Sequence, residues 1–243
     1  MNARLAAFSD THGNLPALDA VLEDMARKGP FDHVLMAGDL VEGGPHPAET
    51  LAAIRALNCP VVLGNTDSYL LAEPDAPELA GMNEAERASS AWTAERIGPE
   101  GLAYLRSLPR QYHLPGPAGG ILMVHANPDN LEDHIHPDED AGALEERLAG
   151  VQAGVLVFGH LHIAYQRRLG RLLLVDVASA GFPRDGDHRA AWAEIYHDDL
   201  GWHATLHRIA YDMEAVAIAL EQCGMPNGKK RAKVLRQARY KHR

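Results

Sequence analysis

Arg4-Leu5-Ala6-Ala7-Phe8-Ser9-Asp10-Thr11-His12-Gly13-Asn14 opens the chain with an apolar run that ends abruptly on a polar cluster. The run reads as a core strand, and Leu15, Leu18, Leu22 and Met25 then recur at helical spacing until Lys28-Gly29 closes the helix. Asp32 to Ala37 is the next strand. Pro47 begins a second helix carrying Leu51, Ile54 and Leu57, and Pro60-Val61-Val62-Leu63 is a third strand. The order β-α-β-α-β predicts a parallel sheet with right-handed crossovers.

Each strand runs into polar residues: Ser9 to Asn14, then Gly38-Asp39-Leu40-Val41-Glu42, then Gly64-Asn65-Thr66-Asp67. Asp10, Asp39 and Asn65 lie 29 and 26 residues apart, close to one β-α-β repeat, so all three fall at the carboxyl ends of neighbouring strands. Ligand sites of open α/β sheets form at that edge.

Residues 83 to 108 read as two helices with Trp92, Ile97, Leu102, Leu105 and Leu108 on their apolar faces. Strands follow at Arg110 to Leu114, Gly120 to His125, Val155 to Phe158, Ala164 to Leu169, Leu172 to Val177, Ala190 to Tyr196 and Trp202 to Ile209, with a hairpin turn at Gly170. A helix from Met213 to Gln222 completes the pattern. No linker interrupts it, so residues 1–226 are taken as one domain and residues 227–243 as a basic tail.

The net charge of −10 is unevenly spread. Eight Lys or Arg and no Asp or Glu fall between Lys229 and Arg243, leaving 15 basic against 33 acidic residues elsewhere, a net −18. Such a body repels a nucleic-acid backbone, and the tail is expected to fold back on it. No apolar run approaches a membrane span. The two cysteines, Cys59 and Cys223, read as small buried hydrophobes that need no disulfide, and such sparse usage with no leader points to a cytoplasmic protein.

Chemistry concentrates in Phe158-Gly159-His160-Leu161-His162, where two imidazoles two residues apart follow a buried strand. Alone this pair is weak. With Asp10, His12, Asp39, Asn65 and the single His125 after another strand, it resembles the ordered motif of the calcineurin-like metallophosphoesterases: Asp-x-His, Gly-Asp, Gly-Asn-x-Asp/Glu, His, Gly-His-x-His. The resemblance spans about residues 4 to 210, and small bacterial and archaeal members share stretches similar to Gly38 to Pro45 and Gly181 to Gly186.

The resemblance implies a four-layer α/β/β/α sandwich of two mixed β-sheets with helices on the outer faces. It also implies one metal on Asp10, His12, Asp39 and His162, and a second on Asp39, Asn65, His125 and His160. Attack on phosphorus by a metal-bridging hydroxide would then hydrolyse small organic phosphates. The donor set of nitrogen and oxygen without sulfur suits two divalent transition-metal ions, manganese first, with Fe, Zn, Ni or Co as alternatives. Two carboxylates and one neutral amide against two such ions leave about +2 of charge to attract an anionic ester.

Two departures from the family pattern bear on substrate. Many members carry His after Gly-Asn; here it is Thr66, which cannot act as a proton reservoir near pH 7. His46, His134 and His136 are the candidates to replace it. Phosphoprotein phosphatases carry Arg in the second loop, where Glu42-Gly43-Gly44 stands here. Its loss removes the group best suited to a monoester dianion and favours diesters. Arg184 or Arg189 could substitute. The alternatives are a phosphomonoesterase or dinucleoside polyphosphate hydrolase, or a non-catalytic interaction scaffold like the retromer subunit of this fold. The expected partner is a small phosphate ester, with no membrane or nucleic acid, and with self-association left open.

Overall fold

A computed structural model describes residues 4–73 and 75–239. Strand β1 (Arg4–Phe8) leads through α1 (Leu15–Lys28) to β2 (His33–Met36) and then α2 (Pro47–Ala56). Two short strands, β3 (Gln111–Leu114) and β4 (Ile121–Val124), follow α3 (Asn65–Tyr69) and α4 (Glu84–Ser107). Next come α5 (Ala141–Arg147), β5 (Val155–Phe158), β6 (Ala164–Leu169), β7 (Leu172–Val177), β8 (Ala190–Asp198) and β9 (Gly201–Ile209). Helices α6 (Met213–Gln222) and α7 (Gly228–Gln237) end the described chain.

The strands form two mixed sheets, ordered β2-β1-β8-β9 and β3-β4-β5-β7-β6. β1 pairs with β2 in parallel and with β8 antiparallel, while β4, β5 and β7 run parallel between antiparallel edges. Side-chain alternation sorts the layers. Leu5 and Ala7 face inward with Leu35, Met123, Val157, Val175 and Ile195, filling the space between the sheets. Ala6, Phe8 and Met36 point the other way onto Leu18, Val21 and Ile54 of the helices. On the far side Val124, Leu156 and Leu174 pack under Leu144 and Leu148. The result is the expected four-layer sandwich.

Several local features differ from the sequence reading. Pro60 to Leu63 makes one isolated bridge, Val61 to Met36, instead of a strand. Pro60 has no N–H to donate, so only its carbonyl serves, accepting from the Met36 amide at 3.0 Å. Helices α3 and α5 were not anticipated. The 83–108 region is two helical segments as expected, separated by a kink at Gly98 before Pro99. Cys59 and Cys223 are unpaired as expected, but half-buried instead of buried.

The basic segment is an ordered helix. Ala232 and Leu235 of α7 are buried with Val216 and Leu220 of α6, Trp92 and Phe182. Its charges meet acidic partners: Arg231 with Glu42, Lys230 with Glu86, and Arg236 with Glu214 and Glu221. Residues 240–243 of the tail lie outside the described residues. Among the described residues no helix is long and apolar enough to cross a membrane.

Candidate metal centre

The loops leaving β1, β2, the Val61 segment, β4 and β5 converge at one edge of the sandwich. They are stitched together by main-chain bonds: Asp10 N–H to the Gly38 carbonyl, His12 N–H to Asp39 and Gly13 N–H to Leu40, all between 2.9 and 3.0 Å. The hydroxyls nearby serve the same scaffold. Ser9 donates to Ala37, Thr11 to Leu40, Ser68 to Asn65 and Ser179 to Asp10, each to a carbonyl. None is poised as a nucleophile.

Five of the seven candidate ligands, Asp10, His12, Asp39, His160 and His162, have left-handed backbone, with φ between 48° and 70°. For residues with a Cβ this conformation costs energy and persists only where the surroundings enforce it, a frequent mark of functional sites. The strain aims their side chains inward.

Asp10 Oδ1 lies 3.0 Å from His162 Nε2 and 3.6 Å from His12 Nε2. Asp39 divides its carboxylate, Oδ2 standing 3.6 Å from His12 Nε2 and Oδ1 3.5 Å from His125 Nε2. Asn65 Oδ1 is 3.0 Å from the same His125 nitrogen. Donor atoms of Asp10, His12 and His162 thus gather within 4.8 Å of one another, and those of Asp10, Asp39 and His125 do likewise. His160 stands outside both groups, its ring centroid 5.0 Å from that of His125.

Each imidazole commits one nitrogen to a main-chain carbonyl: His12 Nδ1 to Glu42 at 2.7 Å, His125 Nδ1 to Ala37 at 2.8 Å, His160 Nε2 to Glu132 at 2.9 Å, and His162 Nδ1 to Phe182. A carbonyl only accepts, so each committed nitrogen carries the proton and the other presents a lone pair, as metal-ligating histidines require. His12 and His162 then oppose two lone pairs across 3.1 Å. Beside them Asp10 Oδ1 is buried without a hydrogen-bond partner. A cation between these atoms satisfies all three, so the donor set fits a metal.

Burial would lower His12 and His125, but Asp10 and Asp39 raise both above the usual histidine range. Burial would raise the Asp10 carboxyl, but His162 and His12 pull it well below the usual carboxylate range. Burial and the neighbouring His125 push His160 down to about 3, which keeps it neutral.

Several residues support the ligands without a pattern of their own in the sequence. Asp67 is the last residue of the Gly64-Asn65-Thr66-Asp67 cluster. Its carboxylate accepts the N–H groups of Asp39, Leu40 and Gly64 at 2.9 to 3.0 Å, holding the second loop under the centre. Burial and the Asp39 charge raise its pKa to about 7, against the Leu40 and Gly64 donors and His125. Asp67→Asn loses one acceptor and is expected to weaken metal binding by about 10- to 100-fold, the range for supports of a ligand, measured by metal titration. Glu132 carried no motif, yet it accepts from the Asn65 amide at 3.3 Å and Tyr69 at 2.7 Å, while its carbonyl takes His160. The Asn65 oxygen is thereby turned inward.

The remaining candidates are spread out. His134 packs on His160 at 4.5 Å between centroids, His46 starts α2, and the His136 amide binds Glu139. Thr66 donates its amide to Asp39 Oδ1 at 3.0 Å and lines a cleft of about 280 Å3 together with Arg184. The Arg184 amide bonds the His162 carbonyl at 3.0 Å, and its charge is felt at His162 and His134. Arg189 is committed to Asp187 on the surface and supplies no substitute for the second-loop arginine.

Residues 3–198 match the model of the calcineurin-like phosphoesterase superfamily domain. An uncharacterised protein of Methanocaldococcus jannaschii is 30% identical over 232 residues, covering 88% of this chain and 90% of its own. A symmetrical bis(5'-nucleosyl)-tetraphosphatase of Psychromonas ingrahamii is 42% identical over 65 residues, 26% of this chain and 24% of its own. The crystal structure of a metallophosphoesterase from Sphaerobacter thermophilus superimposes with a TM-score of 0.78 at 24% identity, covering 97% of this chain and 99% of the other.

Proposed function

Since the chain belongs to the calcineurin-like phosphoesterase superfamily and is a phosphoric ester hydrolase, we propose that it hydrolyses small organic phosphates at a two-metal centre, phosphodiesters ahead of monoesters. The observation that carries this reading is the opposed pair of His12 and His162 nitrogens, 3.1 Å apart, with Asp10 Oδ1 unpartnered beside them. In this reading Asp10, His12, Asp39 and His162 hold one ion, and Asp39, Asn65, His125 and His160 hold the other. Divalent ions there supply Lewis acidity and bring the pKa of water toward neutrality. Manganese heads the candidates, followed by Fe, Zn, Ni and Co.

The chain's own groups do the rest. Asp39, with one oxygen toward each half, fixes the spacing of the two sets of donors. The Thr66 hydroxyl is buried with no acceptor and donates to a phosphoryl oxygen. It cannot relay a proton near pH 7, so esters with a stable leaving group are the better substrates. Arg184 adds positive charge on the cleft side.

Protein loaded with each metal in turn is expected to hydrolyse bis-p-nitrophenyl phosphate faster than the monoester. Negligible rates for both esters with every metal would return the chain to the scaffold reading. The local similarity to a dinucleoside tetraphosphatase favours one second reading, a phosphoanhydride substrate. Chromatography of a dinucleoside tetraphosphate digest tests it.

A further inference from the structure

The cleft beside the metal centre is lined by Thr66 and Arg184, by Lys230 and Arg231 of α7, and by Glu42 and Glu86. Three cations face two anions there, although the body of the chain is strongly acidic. That local surplus favours an anion. Helix α7 therefore forms a wall of the cleft, not merely a brace behind it.

Arg231 has an unusual arrangement. Both of its bonds to the Glu42 carboxylate come from Nη2, at 3.1 and 2.9 Å. A guanidinium that latches a carboxylate frequently engages it with two nitrogens, one to each oxygen. Here Nη1 and Nε donate to no acceptor among the described residues, and the side chain stays 25% exposed.

The other half of the fork covers Gly43. A Cβ at that position would stand 3.0 Å from Nη1 and 3.1 Å from Cζ, and Gly43 has φ of 105°. Glycine at 43 thus accommodates both the backbone and the guanidinium. The second loop lacks an arginine of its own, and one from the far end of the chain lies over it. We propose that Arg231 is a substrate-binding residue, contacting a phosphoryl group that the substrate carries next to the one held at the metal centre. This rests on the phosphoesterase reading of that centre and selects substrates with two adjacent phosphoryl groups.

Binding of inorganic pyrophosphate and of inorganic phosphate to metal-loaded protein, followed by calorimetry, tests the proposal. Wild type is expected to prefer pyrophosphate. Arg231→Ala should weaken pyrophosphate by about tenfold, the size of one charge-assisted hydrogen bond, and phosphate by much less. Arg231→Lys should recover part of the loss. Glu42→Gln breaks the ion pair but keeps the guanidinium, so pyrophosphate affinity should hold or rise. A simple latch gives a different pattern: Arg231→Ala and Glu42→Gln lower the melting temperature alike, and the ratio of the two affinities stays at the wild-type value. That pattern, or a wild type without preference, overturns the proposal. Should Arg231→Ala not fold, Arg231→Lys and Glu42→Gln carry the comparison. Pyrophosphate preference without hydrolysis of either p-nitrophenyl ester would sink the phosphoesterase reading while sparing the clamp.

Discussion

Asp39→Ala is expected to abolish binding of both proposed divalent ions and to lower kcat/KM by about a thousandfold or more, the scale set by removing one charge-stabilising group and compounded by the loss of the ions themselves. The reason is the division of its carboxylate, Oδ1 toward His125 and Oδ2 toward His12. With that side chain gone, each set of donors loses an anion and nothing holds the two sets at a fixed distance. Elemental analysis of the purified variant is the direct check. Two ions per chain after the substitution would refute the proposed allocation.

Gly64→Ala is expected to be almost as damaging, although no ligand atom is removed. The backbone at 64 is extended, with φ of −91°, so alanine meets no conformational obstacle. Its Cβ, however, would overlap the Asp39 carboxylate and amide. Asp39 cannot yield, because its amide is held by Asp67 and only 2% of its surface is exposed. The carboxylate is forced from its position, and overpacking of this kind costs about 1–3 kcal/mol in addition. Metal content and thermal unfolding are read together. Gly150→Ala, where a Cβ meets nothing within 4 Å, is the control and should match wild type. Wild-type metal content in Gly64→Ala would mean that the two loops are less tightly packed than described.

The legible part of the molecule was the part written in local pattern. Val155 to Phe158 is a continuous apolar run, buried on both faces, and it brings His162 to Asp10 and His12 and leaves His160 beside the His125 ring. The same logic located Asp10, Asp39 and His125. Pro60 to Leu63 misled because composition signals an extended chain without saying which amides find partners. Glu132 was invisible for another reason: it works partly through its main-chain carbonyl, 28 residues from the histidine it holds. The basic segment folds back on the acidic body as its charge implies, but how it is seated was not legible, because its charges outnumber Ala232 and Leu235, the residues that anchor it. Only the partner helix α6 makes those two informative.

The stitching of the loops has a kinetic consequence. Ser179 bonds the Asp10 carbonyl across 169 residues, and His12 meets His162 across 150. Contacts between positions so distant form slowly, because the closure entropy of long loops must be met before they contribute anything in return. Partly folded chains, with one sheet formed and the other open, hold at most a fraction of the donors. Metal uptake by the proposed centre is therefore expected to report the last stage of refolding, when the two ends of the fold have found each other.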